Sequence, residues 1–231
     1  MTSDLSVLIA GTVTAVWRPQ SGYRGEVLAR LPDPLRRWLY AGGSRQDRLR
    51  DPDLVVAALD VGPGELVADL GPGAGHFTVR LARAVEPNGV LYAADADQST
   101  LDDLERGAAE RGLTTLRPVL VARDRLELPE PVDLLFVSAT YHHLRDRVAY
   151  FTDAQRHLRR GGRVAILEAR REGLLARSRG AHATKPSLIR EEMARAGYRL
   201  ASTHDVVRGY WFGVFVIGHD ADRSGLGRTF R

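Results

Sequence analysis

The 231-residue chain contains no cysteine, one lysine (Lys185) and two methionines. Without cysteine there is no disulfide, no thiolate metal site and no cysteine nucleophile. No stretch approaches the ~20 consecutive apolar residues of a membrane span. A secretory leader is not indicated either: Asp4 stands where such a leader carries positive charge, and Thr12 and Thr14 interrupt the mildly apolar residues 7–17. The chain is expected to be soluble and cytoplasmic, with no membrane partner. Basic residues are not clustered. The 33 Lys and Arg are interspersed with 29 acids, which argues against a nucleic-acid-binding surface despite a net charge of +4. Hydrophobic content of 44% and charge of 27% are those of an ordinary globular chain, long enough for one α/β domain with a sizeable core.

Residues 66–81 read L-V-A-D-L-G-P-G-A-G-H-F-T-V-R-L. An apolar run reaches Asp69, glycines follow at 71, 73 and 75, and then an amphipathic run begins. The pattern is that of a buried strand, a glycine turn and a helix. Glycine supplies positive-φ conformations and lets a ligand approach the backbone with no Cβ in the way. The helix beyond is expected to aim its N–H groups at that ligand. A dinucleotide fingerprint, G-x-G-x-x-G, requires glycine at position 76, which is histidine.

Downstream, strands and helices alternate. A helix is expected to start at Asp51-Pro52, with Asp51 as its side-chain cap. Strands follow at 90–94, 116–122, 132–137 and 163–168. Helices are expected at 100–111, at 148–160 (closing on Arg159-Arg160 and Gly161-Gly162) and at 187–196. Strands 198–207 and 210–218 flank Arg208-Gly209, a hairpin turn that makes the pair antiparallel. Residues 1–50, with Trp17, Tyr23, Trp38 and Tyr40 among Pro, Gly and Arg, form an N-terminal cap or lid, residues 51–218 the main domain, and residues 219–231 a polar tail. The alternation implies a mostly parallel sheet covered by helices on both faces.

The segment D-L-G-P-G-A-G, the acid after the second strand and the terminal hairpin together resemble class I S-adenosylmethionine-dependent methyltransferases, over roughly residues 51–218. The resemblance implies a Rossmann-like seven-stranded sheet with helices on both faces and a C-terminal antiparallel β-hairpin. It also implies S-adenosyl-L-methionine as cofactor, with S-adenosyl-L-homocysteine as product. By that resemblance Asp69, Gly71, Gly73 and Gly75 hold the amino-acid end of the cofactor and Asp95 accepts hydrogen bonds from the ribose hydroxyls. Ala96 lies against the adenine, Asp124 takes the adenine amino group, and Ser138 contributes backbone contacts. Ser138-Ala139-Thr140-Tyr141-His142-His143 resembles the fourth-strand exit of small-molecule methyltransferases related to ubiquinone and menaquinone biosynthesis enzymes. His142 or His143 is then the candidate general base. Two adjacent histidines point in different directions, so no metal is expected there.

Missing features narrow the acceptor. There is no D/N-P-P-Y/F segment of amino-directed nucleic-acid methyltransferases after the fourth strand and no paired glutamates of protein arginine methyltransferases. The absence of cysteine excludes the cytosine C5 and arsenite types. A small-molecule acceptor remains, methylated on O, N or C, with a homodimer open as the assembly. Two other readings stay open on sequence: a non-catalytic adenosyl-ligand-binding or scaffold protein, and a nicotinamide-dependent oxidoreductase.

Overall fold

Strand β1 (Leu66–Leu70) is buried along its whole length and hydrogen-bonded on both edges, so it can only be the centre of a sheet. The computed structural model describes residues 51–170 and 184–218. Expectations for residues 1–50 and for the tail 219–231 fall outside them. The elements are α1 (Pro52–Leu59), β1, α2 (Thr78–Ala84), β2 (Val90–Asp95), α3 (Gln98–Ala109), β3 (Leu116–Leu120), β4 (Val132–Ser138), α4 (Arg147–Ala154), β5 (Leu158–Ala169), α5 (Pro186–Arg195), β6 (Tyr198–His204) and β7 (Tyr210–Ile217). Two 3₁₀ turns, Tyr141–His143 and Gln155–His157, flank α4.

The sheet order is β3-β2-β1-β4-β5-β7-β6. The first five strands are mutually parallel, and β7 lies antiparallel between β5 and β6. This is the expected Rossmann-like seven-stranded sheet, with its C-terminal antiparallel hairpin. From β1 the chain steps outward to β2 and β3, then returns to the other side of β1 as β4. The order therefore reverses between β1 and β4, and a crevice opens beyond their carboxyl ends.

Two apolar layers clothe the sheet. Phe77, Leu81, Leu104, Leu134 and Phe136 belong to one; Leu135, Tyr141, Phe151, Ile189 and Trp211 belong to the other. Phe136 is fully buried and meets Phe77 edge-on at 5.1 Å. No helix among the described residues is long and apolar enough to cross a membrane.

Four local expectations are corrected. The Asp51 side chain makes no capping bond; it is the Asp51 carbonyl that accepts from the Leu54 and Val55 N–H groups. Helix α3 starts at Gln98, two residues early, because Asp97 caps it by accepting from Ser99 N at 2.9 Å. The helix expected over 148–160 stops at Ala154, and residues 159–162 belong to β5 instead. Leu158 pairs with Val132, and the register then shifts before Leu134. Gly161 takes φ +82 there, and a Cβ on Gly162 would press on the Arg159 and Val132 carbonyls. Arg159 binds Asp133 at 3.0 Å rather than a helix end. The last hairpin is joined by five residues, 205–209, rather than by a two-residue turn.

Truncating the centre of the core tests this packing. Phe136→Ala is expected to cost ~3–5 kcal/mol in denaturant unfolding, because it deletes a fully enclosed ring between β4 and Phe77.

Candidate active site

At the end of β1 the backbone has to turn sharply within the crevice. Gly71, Gly73 and Gly75 all adopt positive φ (+68, +53 and +76). At Gly71 the need is steric as well, since an added Cβ would collide with the Thr140 side chain. Gly71 N donates to Ala94 O at 2.8 Å, tying the turn to β2. The Thr140 hydroxyl lies 3.2 Å from both the Gly71 and Ser138 carbonyls, tying it to the exit of β4. Ala139, between Ser138 and Thr140, is held at φ +52, a conformation a non-glycine residue adopts only when its surroundings impose it. Helix α2 begins only at Thr78, so the segment facing the crevice is the turn over 71–77 rather than the start of a helix.

These elements enclose a cavity of about 590 Å³. Asp69, Gly71, Gly73, Gly75, Asp95, Ala96, Ser138 and His143 all border it, as do His76, Arg123, Thr140 and Arg145. Two of the expected residues do not. Asp124 is exposed and lines a neighbouring hollow with Arg125 and Asp153. After β3 ends at Leu120, the chain follows the cavity wall through residues 121–123 and then bends away, which leaves Arg123 where Asp124 was expected. His142, next to the lining residue His143, is not itself part of the wall. Its Nδ1 lies 3.1 Å from both carboxylate oxygens of Glu168.

The two acids on the cavity wall differ in environment. Asp95 is half-buried and accepts from Asp97 N at 3.0 Å. Asp69 is 2% exposed, and Thr78 Oγ1 donates to its Oδ2 at 2.8 Å. Burial pushes the Asp69 carboxyl up to about 7; the Thr78 bond opposes this and the Asp95 charge adds to it. A buried carboxylate of this kind fits a ligand with a cationic group. A glycine-lined crevice of this volume fits an adenosyl ligand bearing one.

Residues 67–162 match the family model of a methyltransferase domain. The chain has the fold of the class I S-adenosylmethionine-dependent methyltransferases. It is 28% identical over 116 residues to a ubiquinone/menaquinone biosynthesis C-methyltransferase of Burkholderia cenocepacia, a match covering 49% of this chain and 46% of that protein. It is 30% identical over 116 residues to an uncharacterized 37.1 kDa transposon protein of Streptomyces fradiae, covering 50% of this chain and 33% of that one. The matches thus span less than half the length of these curated relatives. Among solved structures, a SAM-dependent methyltransferase from Aquifex aeolicus superposes with a TM-score of 0.70 at 21% identity, covering 81% of this chain and all of that one (100%). An O-methyltransferase of neocarzinostatin biosynthesis, solved with S-adenosyl-L-homocysteine and 1,4-dihydroxy-2-naphthoic acid, superposes with a TM-score of 0.63 at 21% identity, covering 84% of this chain and 61% of that one. At these identities the structural likeness establishes the fold.

Sequence reasoning about this site missed Thr140, Arg123 and Glu168. The first carried a signal, since a small hydroxyl residue directly after a strand exit invites a local backbone bond. Glu168 carried a weaker one: an acid ending an otherwise apolar strand must be paired if it is buried.

The Asp69 shift has a stability consequence. With a carboxyl pKa of 3.8 when unperturbed and about 7 in the folded chain, the folded state holds the proton more tightly. Stability of the ligand-free protein should therefore fall as pH rises through that interval. Asp69→Asn is expected to flatten the loss and stabilise the ligand-free protein at pH 8 by roughly 1–3 kcal/mol, read from urea unfolding at several pH values.

Proposed function

We propose that this protein transfers the methyl group of S-adenosyl-L-methionine to a small-molecule acceptor bearing an acidic hydroxyl. The observation that carries the reading is that Asp69 and Asp95, at the tips of adjacent strands, share one glycine-lined cavity. In this reading Asp69 faces the cationic amino group of the cofactor, and the Gly71–Gly75 turn passes beneath its amino-acid end. Asp95 accepts from both ribose hydroxyls, since an ionised carboxylate has the lone pairs for two donors. Ala96 offers a flat apolar contact to the adenine, and Ser138 presents its backbone at the strand exit. When bound, the cofactor supplies an already activated methyl group, so alignment is most of what the protein must contribute.

The one proton to be managed is the acceptor's. Glu168 is 1% exposed and faces His142 Nδ1 with both oxygens. A carboxylate in that position favours the tautomer with its proton on Nδ1, which places the basic lone pair on Nε2. His142 is accordingly the candidate base, oriented by Glu168. The His143 ring lies against it, centroids 4.0 Å apart and tilted by 43°, and borders the cavity itself. The solved O-methyltransferase named above carries a dihydroxynaphthoic acid, and an acceptor of that broad type, a hydroxylated aromatic, suits a base of this kind.

Calorimetry is expected to show binding of both S-adenosylmethionine and S-adenosylhomocysteine, weakened about tenfold or more in Asp95→Ala. Unchanged affinity in that variant sinks the site assignment. In a methyl-release assay over a panel of hydroxylated aromatics, His142→Gln is expected to lower kcat by about 10²-fold or more while cofactor affinity holds. Equal kcat in that variant removes the base.

A further inference from the structure

Directly beside the His142 turn lies a charged cluster that the proposed chemistry does not use. Tyr141 is fully buried, and its hydroxyl donates to Glu192 Oε2 at 2.8 Å. Arg147 clasps the same carboxylate with two bonds, Nε to Oε2 at 2.8 Å and Nη2 to Oε1 at 2.7 Å. Its guanidinium also lies over the Tyr141 ring at 5.3 Å from the centroid, while Phe151 stacks parallel to that ring at 5.4 Å and 21°. Three elements therefore meet on one carboxylate: the 3₁₀ turn, the first residue of α4, and α5.

The cluster is mostly shielded from water, with Glu192 and Arg147 side chains 13% and 22% exposed. Burial alone would raise the Glu192 carboxyl, but the bonds from Arg147 and Tyr141 prevail and hold it below the usual range. Removing two charges from water is costly, and an apolar trio of similar volume would pack these elements at no such cost. What the polar arrangement adds is direction: planar bidentate geometry and a hydroxyl bond fix the angle at which α5 meets the turn. The turn itself is rigid, since His143 N donates to Thr140 O at 2.9 Å and Leu144 N to Tyr141 O at 3.2 Å. A rotation of Tyr141 is thus carried directly into His142 and, through Thr140, toward Gly71.

We propose that Glu192 is a positioning residue for methyl transfer, tying α5 through Tyr141 and Arg147 to the turn that carries His142 and His143. The proposal rests on the methyltransferase reading for its kinetic effect, but the mechanical coupling it asserts can be read without turnover. It makes α5 part of the catalytic apparatus, although α5 contributes no residue to the cavity wall.

The test compares Tyr141→Phe and Glu192→Gln with the wild-type chain. Tyr141→Phe removes one oxygen from a core ring and keeps the test open should Glu192→Gln fail to fold. Binding of S-adenosylhomocysteine, measured by calorimetry, is expected to stay within about twofold, because neither residue borders the cavity. The kcat for the acceptor is expected to fall about tenfold with the KM for S-adenosylmethionine little changed, the signature of misplaced chemistry. Independently of any acceptor, the imidazole ¹⁵N resonances of His142, assigned with His142→Gln, are expected to move in both variants. Folded variants whose His142 resonances match those of the wild type overturn the proposal, whatever happens to kcat. If the wild-type chain binds no S-adenosylhomocysteine, the function fails while the resonances still decide the coupling.

Discussion

A strand that is apolar on both faces and paired on both edges has only its tip available for chemistry, and the site depends on that constraint. β1 ends in Asp69 and Leu70, both buried, and must then change direction against β4 without room for a side chain. Gly71 answers the steric demand, and Thr140 and Ala94 hold the turn from either side. The cost is a carboxylate buried with a single hydroxyl partner among the described bonds, at the place where a cationic ligand would relieve it. The same geometry that closes the core therefore prepares the cavity.

Beyond the cavity, the exit of β4 divides its residues between two tasks. Ser138, Thr140 and His143 border the crevice, whereas Tyr141 packs into the layer beneath α4 and α5 and His142 turns its Nδ1 to Glu168 on β5. Two acids, the buried Glu168 and the half-buried Glu192, anchor that second set. One meets an imidazole and the other a guanidinium and a phenol, so neither carboxylate is left without compensation. A short 3₁₀ turn, in which consecutive side chains diverge, makes this division possible within four residues.

Several elements were legible along the chain for local reasons. Apolar runs closed by an acid or glycine gave the parallel strands, and Arg208-Gly209 between two strand-like runs gave the final antiparallel pair. Boundaries failed where tertiary pairing overrode a local signal. Arg159 and Arg160 followed by two glycines look like the end of a helix, yet Leu158 is already held to Val132, and the glycines serve a shift in register. The helix expected from residue 100 starts at Gln98, because the Asp97 side chain caps it. At the site, strand ends predicted the shared wall of Asp69, Asp95, Ala96 and Ser138, whereas Asp124 was misplaced by one bend in the backbone.

The residue order alone determined the fold class and the glycine turn. Each of these depends on neighbours within a few positions, where alternation, turn chemistry and the lack of a Cβ act directly. Only the tertiary structure decided that Glu168 stands behind His142, 26 residues away, and that Glu192 holds Tyr141 across 51. Such pairs arise from how the layers stack. No local pattern encodes which buried acid will meet which donor, because the choice is made by the packing of elements that are remote in sequence.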